Sequence, residues 1–305
     1  MTKPYTLLRQ LLISTITVMS GLLHAQTIEI LDANNFSAGV GERGMLFYSD
    51  SINQQPQLTA EVPKGRGTPI FYYGNLIISG IDDQGKHHFA SNNSYHPRNI
   101  YYSGPIISHY DSLYDNLYSR NFKVTRQQVD QHRAQSFPTL NVTNAIKFWP
   151  ARGNPHILAA YGIGITQYLA PFVDVNGNNT YDPANGDYPA FCGDQAVFFV
   201  FNDERASHDS TAGSNHLGFE IRALAEQFLL PGEALDKHPV NNAMFVHYEI
   251  ENKSANNYSD LFVSMNLDPD VGCFSNDAIG CDTNRHLAYA YNRTAFHNDC
   301  QGIKG

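Results

Sequence analysis

The amino-acid sequence predicts a mostly-β fold, an antiparallel β-sandwich-like architecture with long loops and few short helices. Several short runs alternate apolar and polar residues, which is typical of strands with one buried face. Asn, Gly, Pro, Ser and Asp interrupt these runs at short intervals, as turns do. Strands separated by such turns favour two packed sheets.

The alternation predicts strands from residue 71 onwards. The predicted strands are 71–78, 196–201, 245–252, 261–268 and 287–291. The second of these is apolar on both faces, which indicates a central strand that is covered on both sides. The third and fourth each have one apolar face and are joined by a polar turn, so an antiparallel pair is predicted.

Two further segments bear on helix content. Residues 125–133 predict a short helix with Thr125 as its N-cap. Residues 218–228 fit a strand or a helix equally well, because the apolar positions match both periods.

The first 25 residues have the features of a cleaved secretory signal peptide. Lys3 and Arg9 form a basic start, residues 11–23 are largely apolar, and Ala25 is the small residue that signal peptidase requires. An uncleaved membrane anchor is the alternative, but no stop-transfer pattern follows. No other stretch is long and apolar enough to predict a transmembrane segment. The remainder divides into a β-rich region at 26–160 and a second β-rich region at 161–305, which includes the polar segment that begins at Asp174.

The charge of the chain argues against nucleic acid as a partner. Without the signal peptide, 18 Lys and Arg oppose 29 Asp and Glu, a formal net charge of −11. Nucleic-acid binding needs basic patches that neutralise phosphates. Divalent cations, in contrast, would offset such an acidic surface.

Oxygen-bearing side chains recur at alternate positions after Asp174, followed by a further acid. This spacing suits calcium, which takes six to eight oxygen ligands. The first, third, fifth, seventh and ninth positions match an EF-hand-like loop, but the twelfth is Asn185 where a Glu is usual, so Asp187 is expected to close the site. The alternative is a hydrated turn rich in Asn and Asp. The predicted calcium ligands are Asp174, Asn176, Asn178, Thr180 (through its carbonyl), Asp182 and Asp187.

A second acidic cluster follows the predicted strand at 261–268. Four carboxylates in a short span repel one another unless a cation screens them. The second candidate calcium site consists of Asp268, Asp270, Asp277 and Asp282. Acids that cap turns are an equally good interpretation.

Four cysteines remain after removal of the signal peptide, which permits disulfides in an oxidising compartment. Cys273 and Cys281 are predicted to pair, because they are close in sequence and bracket an acidic turn. Free thiols are the alternative, and the spacing leaves the pairing of Cys192 and Cys300 open.

Motifs of catalysis are absent from the sequence. There is no His-Glu-x-x-His, Gly-x-Ser-x-Gly, phosphate-binding loop or dinucleotide fingerprint. Acid pairs for glycoside hydrolysis can be drawn from Glu220, Glu249 and Asp260, but any acidic chain offers such pairs. Trp149 is the only tryptophan, which gives little support for a sugar-stacking face.

The chain resembles a family of large secreted surface proteins of Bacteroidota that use the type IX secretion system. The segments that carry the resemblance are LDANN (31–35), MLFYSD (45–50), FWPARGN (148–154), the stretch from Asp174 to Pro189, GDQA (193–196), FND (201–203), LGFE (217–220), DPDVG (268–272), GCD (280–282) and YAYN (289–292). The family often has a Trp near Leu76 or Ile77, and this chain does not. Such proteins continue further and end in a sorting domain. None is recognised before Gly305, so this sequence is expected to be a fragment or a truncated reading frame of such a protein.

The resemblance implies export and an extracellular or cell-surface location, with the type IX machinery as a partner if a sorting domain follows. The expected function is a calcium-stabilised structural or adhesion-type module without catalytic activity, whose partners are cell-surface or extracellular polymers. The alternatives are a polysaccharide-active hydrolase and a carbohydrate-binding module.

Overall fold

The structure of the protein is a computed structural model, and it describes residues 28–41, 43–47, 60–67, 69–92, 101–205, 215–232, 237–272 and 274–294. The predicted signal peptide lies outside these ranges, as do Cys273 and Cys300. No helix within the described ranges is long and apolar enough to span a membrane.

Short antiparallel strands dominate the described residues, which confirms the predicted mostly-β, sandwich-like fold. The strands are β1 (Ile28–Leu31), β2 (Ser37–Gly41), β3 (Ala60–Glu61), β4 (Phe71–Asp82), β5 (His87–Ala90), β6 (Tyr102–Ser103), β7 (Phe122–Thr125), β8 (Phe172–Val173), β9 (Tyr188–Pro189), β10 (Gln195–Asn202), β11 (Phe219–Gln227), β12 (Phe245–Asn252), β13 (Tyr258–Pro269), β14 (Asp277–Asp282) and β15 (Leu287–Asn292). The α-helices are α1 (Ser112–Tyr118), α2 (Arg126–Arg133), α3 (Asn144–Lys147) and α4 (Pro155–Tyr161).

One sheet is centred on β10, whose two faces are both covered. It runs β12-β11-β10, and both β6 and β7 pair with the other edge of β10. Val197 and Phe199 point into one hydrophobic core, whereas Ala196 and Phe198 point into the other. The prediction of a doubly covered central strand is therefore confirmed.

The second sheet faces the first across one of these cores. β4 pairs with β13 on one side and β5 on the other, and bridges through Leu46 connect it to the β1-β2-β3 sheet. Leu76 and Ile78 of β4 join Phe199 and Ile221 of the first sheet in this core. Two sheets that bury a shared apolar layer make the sandwich.

Helices and loops cover the other face of β10. α2 begins at a full capping box, in which Thr125 and Gln128 satisfy each other's backbone N–H groups. The predicted helix and its N-cap are thus confirmed. Trp149 is fully buried in the second core, where its ring lies against Phe198 and its Nε1–H donates to the carbonyl of Pro171 at 2.9 Å.

The predicted pairing of residues 245–252 with 261–268 is wrong. β12 pairs with β11 in one sheet, and β13 pairs with β4 in the other. The polar turn crosses between the sheets because both strands direct an apolar face towards the same core. The segment at 218–228, which fitted either structure, is the strand β11.

Strand pairs connect the two predicted sequence regions. β4 and β7 belong to 26–160, and their partners β13 and β10 belong to 161–305. Both regions therefore contribute to the same sheets.

Candidate metal site

The loop from Asp174 to Asp187 connects two strands that pair with each other. Phe172 lies opposite Pro189 and Val173 opposite Tyr188, so the two ends of the loop are held together. The chain continues from β9 into the central strand β10. The conformation of the loop is thereby connected to the core of the molecule.

The first half of the loop winds around the carboxylate of Asp174. Its Oδ1 accepts hydrogen bonds from the N–H groups of Gly177 at 2.7 Å and Asn178 at 3.2 Å. Its Oδ2 accepts from the N–H of Asn179 at 2.6 Å. Three successive donors aimed at one carboxylate fix a tight turn around a negative charge.

Two of the predicted ligands, Asn176 and Asn178, each cap the turn locally. The Oδ1 of Asn176 accepts from the N–H of Asn178 at 3.1 Å, and the Oδ1 of Asn178 accepts from the N–H of Thr180 at 2.8 Å. These are the contacts of Asx turns. The alternative interpretation of the loop, a turn rich in Asn and Asp, therefore describes part of its geometry.

Asn179 is a residue of the loop that the alternating spacing did not predict. It is the sixth residue from Asp174, where an EF-hand loop has an invariant Gly that makes the sharp turn. Asn179 adopts a φ of 61° there, and Asn tolerates this left-handed region better than most residues. Counting to the sixth position could have found it.

Asp187 closes the loop from its far end. Its side chain is fully buried, Oδ1 accepts from the N–H of Val175 at 2.9 Å, and Oδ2 accepts from the N–H of Asp182 at 2.7 Å. Burial raises the pKa of this carboxyl, and the charges of Asp174 and Asp182 raise it further, while the two N–H donors oppose the rise. The three acids are thus close enough to influence one another.

Asp182 and Asn185 form a pair at the second turn. Asp182 caps a short 3₁₀ turn through the N–H of Ala184 at 3.2 Å, and its Oδ2 accepts from the Nδ2 of Asn185 at 2.6 Å. Asn185 is exposed, whereas Asp187 points inward. Asp187, and not Asn185 at the twelfth position, is therefore the residue that points into the loop from its far end.

Buried contacts hold the loop against the helical layer. The hydroxyl of Tyr181, which is fully buried, donates to the carbonyl of Ile146 at 2.6 Å. The carbonyl of Asp187 lies 3.1 Å from Nε2 of the buried His132. Thr180 is half-buried and packs on Gly153, where an added Cβ would lie 2.5 Å from its Cγ2.

The donor set fits calcium by its chemistry. Carboxylate, amide and carbonyl oxygens are hard ligands, and each carboxylate has about four lone-pair sites, so an N–H bond leaves capacity for a cation. In the described ranges, however, no three Asp, Glu, His or Cys side chains are grouped so as to hold a metal ion as they stand. Several oxygens are directed to backbone N–H groups. Calcium binding here remains a prediction.

Three of the four acids of the second candidate site lie together. Asp268, Asp270 and Asp277 line an open cleft of about 640 Å³. Burial raises the pKa of Asp270 to about 6, with added contributions from the charges of Asp268 and Asp277. Oδ2 of Asp277 accepts from the N–H of Val271 at 3.1 Å, and its buried Oδ1 has no hydrogen-bond partner within the described structure.

Asp282 lies apart from these three acids. It ends β14, which begins at Asp277, so the two are roughly 16 Å apart along the strand. Its carboxylate accepts from the N–H groups of Asn284 and Arg285 and forms an ion pair with Arg285 at 3.1 Å. Asp282 is therefore a turn cap in this structure.

The disulfide prediction stays a prediction. Cys281 is exposed on β14, and in the described structure Cys192 and Cys281 are free thiols. Cys273 lies outside the described residues.

Glu220, one of the three acids considered for glycoside hydrolysis, is not accessible to a substrate. Glu220 is fully buried, and its Oε2 accepts from the N–H of Ile106 at 2.9 Å. Glu249 is on the neighbouring strand, where it pairs with Arg222 at 3.0 Å. A glycosidase needs two carboxyl groups on either side of a bound sugar.

Comparison with protein-family models, with curated proteins and with solved structures finds no match.

Proposed function

We propose that this chain is a secreted, calcium-stabilised structural or adhesion-type module of the cell surface or extracellular space, without catalytic activity. The observation that carries the proposal is the loop from Asp174 to Asp187, which winds around one carboxylate and closes on a buried second one. A buried acid beside two others is costly unless a cation or a proton neutralises it. Calcium is the cation that this oxygen set suits.

The proposed location rests on the sequence. The signal-peptide features, together with the resemblance to type IX-secreted surface proteins of Bacteroidota, support export. A site in which amides replace some carboxylates is expected to bind calcium weakly. Extracellular modules function with a calcium Kd of roughly 10⁻⁴–10⁻³ M, so weak binding is compatible with the proposed location. The proposed partners are cell-surface or extracellular polymers.

Titration calorimetry with calcium tests the binding claim. The parent protein is expected to bind calcium in the submillimolar to millimolar range, and Asp182→Asn should weaken binding at least about tenfold by removing a ligand charge. Asp83→Asn is the matched control, since Asp83 is exposed in a turn far along the chain. If the parent and both variants have the same affinity for calcium, the measured binding comes from acids outside this loop and the proposal is contradicted.

One observation favours a carbohydrate-binding module as a second candidate. Tyr289 and Tyr291 lie on the same face of β15, about half exposed, with ring centroids 6.1 Å apart and an interplanar angle of 32°. The ring of Tyr289 covers Gly280, where any Cβ would lie 2.4 Å from it. Two tilted rings side by side offer an exposed aromatic surface of the kind that stacks on sugars.

Affinity electrophoresis in gels containing soluble polysaccharides distinguishes the candidates. A carbohydrate-binding module should be retarded, and Tyr291→Ala should abolish the retardation. Phe89→Ala is the control, because Phe89 is a similarly exposed aromatic residue on another sheet. Migration unaffected by every polysaccharide would remove this candidate and leave the structural module.

A further inference from the structure

The second sheet of the sandwich has an apolar strip that its own core does not cover. We call Leu261, Val263, Met265 and Leu267 of β13 the rim stripe. Val263 lies opposite Ile78 of β4 and Met265 opposite Leu76, so the stripe is on the core side of the sheet. Ile78 and Leu76 are 0% and 3% exposed, whereas the stripe residues are 38–51% exposed. The core is therefore open to solvent along β13.

Within the described structure, the backbone of β13 has N–H and C=O groups along one edge of the sheet that no strand pairs with. Among the strands that the structure describes, β13 pairs with β4 alone and forms the edge of its sheet. Residues 261–267 contain no charged residue and no Pro. Edge strands of natural proteins are commonly protected by such residues, and a long apolar edge without them is a template for another strand.

The facing sheet is open at the corresponding edge. β12 is its outermost strand, and Val246, Tyr248 and Ile250 pack only partly against the shared core. The polar turn between β12 and β13 crosses from one sheet to the other. The two sheet edges thus border one apolar opening, and a single added strand on β13 would cover the rim stripe.

Charge decides between a second copy of this chain and a different strand. Asp260 and Asp268 flank the apolar part of β13, and Asp270 and Asp277 lie in the adjoining cleft. Antiparallel pairing of two copies about Ser264 would place Asp260 of each opposite Asp268 of the other, and like charges directly opposite destabilise a strand pair. The whole chain also has a formal net charge of −9. A strand with basic ends would be complementary.

We propose that β13 and the rim stripe bind an extended strand of another polypeptide, one with apolar residues at alternate positions and Lys or Arg at its ends. The backbone of β13 would supply the strand-pairing hydrogen bonds, and the rim stripe would receive the alternate apolar side chains. The acids at the two ends of the apolar segment would select the basic termini. This proposal is independent of calcium binding.

Two labelled peptides test the proposal by fluorescence polarisation with the whole protein. The probe is Lys-Val-Thr-Val-Thr-Val-Thr-Val-Lys, and its matched control has Glu in place of both Lys residues. The Lys peptide is expected to bind saturably, with a Kd at least about tenfold lower than that of the Glu peptide. Hydrogen exchange of the unmodified protein should show residues 261–267 gaining protection when the Lys peptide is added.

Two protein variants locate the binding surface. Val263→Lys should weaken binding of the Lys peptide about tenfold or more, because it places a cation within the rim stripe. Leu158→Lys should bind as the parent does, since Leu158 is 53% exposed, much like Val263, but lies on α4 in the helical layer. Thermal melts establish that both variants are folded.

Three results would overturn the proposal. The first is the absence of saturation by the Lys peptide at millimolar concentration. The second is equal affinity for the two peptides, or protection outside 261–267. The third is dimerisation of the protein that Val263→Lys abolishes, because the occupant of β13 would then be a second copy of this chain.

Discussion

Asp174 and Asp187 lie at the two ends of the candidate site and differ in burial and in the backbone groups that they bind. Asp174 is half-buried and organises the turn that follows it, whereas Asp187 is fully buried and joins the N–H groups of Val175 and Asp182. The alternating spacing of the sequence predicted both residues as ligands. The sequence did not predict that both also serve as backbone caps, because hydrogen bonds to N–H groups depend on a turn conformation that spacing alone does not specify.

Asp174→Ala is expected to destabilise the fold rather than abolish a catalytic activity. It removes the acceptor for three N–H groups, two of them within 2.7 Å. The free energy of unfolding should fall by about 2 kcal/mol without calcium, and by more with it. Limited proteolysis should show earlier cleavage near residues 181–189. Asp83→Ala is the control. A variant that resists protease like the parent but has lost a hydrolytic activity would support the enzyme alternative instead.

Glu220→Gln is expected to reveal a pH dependence of stability. Burial raises the pKa of Glu220 from its ordinary value of 4.5, so the folded state binds this proton more tightly than the unfolded state. Its contribution to stability is present below pH 4.5 and is lost as the pH rises through the folded-state pKa. Relative to the parent, the variant should therefore become more stable between pH 4.5 and neutrality.

Urea unfolding at several pH values measures this difference. Glu204→Gln is the control, since Glu204 is exposed. A stability difference between Glu220→Gln and the parent that is the same at every pH would contradict the assignment.

At the scale of the element, the loop from Asp174 to Asp187 packs against the segment around Gly153. This Gly has a φ of +77°, and its α-carbon faces the side chain of Thr180. Neither feature is visible in the sequence, because the two residues are distant along the chain. Strand faces were more predictable: the alternation correctly placed Val263 and Met265 on one face. It could not give the partner strand, because a period of two specifies faces and leaves the choice of neighbouring sheet open.

Gly153→Ala should displace the loop from Asp174 to Asp187. The added Cβ would lie 2.5 Å from the Cγ2 of Thr180, in a backbone conformation that Ala tolerates poorly. Gly85→Ala is a matched control, since Gly85 has the same φ of +77° and no atom within 4 Å of the added Cβ. Gly153→Ala should lose about 1–3 kcal/mol more than Gly85→Ala in chemical unfolding, and bind calcium more weakly. If both variants lose the same free energy of unfolding, the contact between Gly153 and Thr180 does not contribute to stability and this prediction is wrong.

At the scale of the molecule, β10 joins the loop to both hydrophobic cores. The loop leads through β9 into β10, whose side chains alternate between the sandwich core and the helical layer. The helical layer was not predicted beyond α2, because helices of four to seven residues show too little periodicity to be recognised. Trp149, the only tryptophan, is buried in the core of the helical layer and donates to Pro171, just before the loop. Its fluorescence therefore reports on the unfolding of this core.

The central claim is that calcium in the Asp174 loop stabilises the fold, and thermal unfolding followed by Trp149 fluorescence tests it most directly. At calcium a hundredfold above Kd, the stabilisation should be about 2.7 kcal/mol. For a chain of this size that corresponds to a Tm increase of roughly 4–5 °C over the chelator-treated protein. Asp182→Asn, with a Kd at least about tenfold higher, should lose about half of this increase or more at the same calcium concentration. Equal melting temperatures of the parent protein with calcium and with chelator would contradict the account.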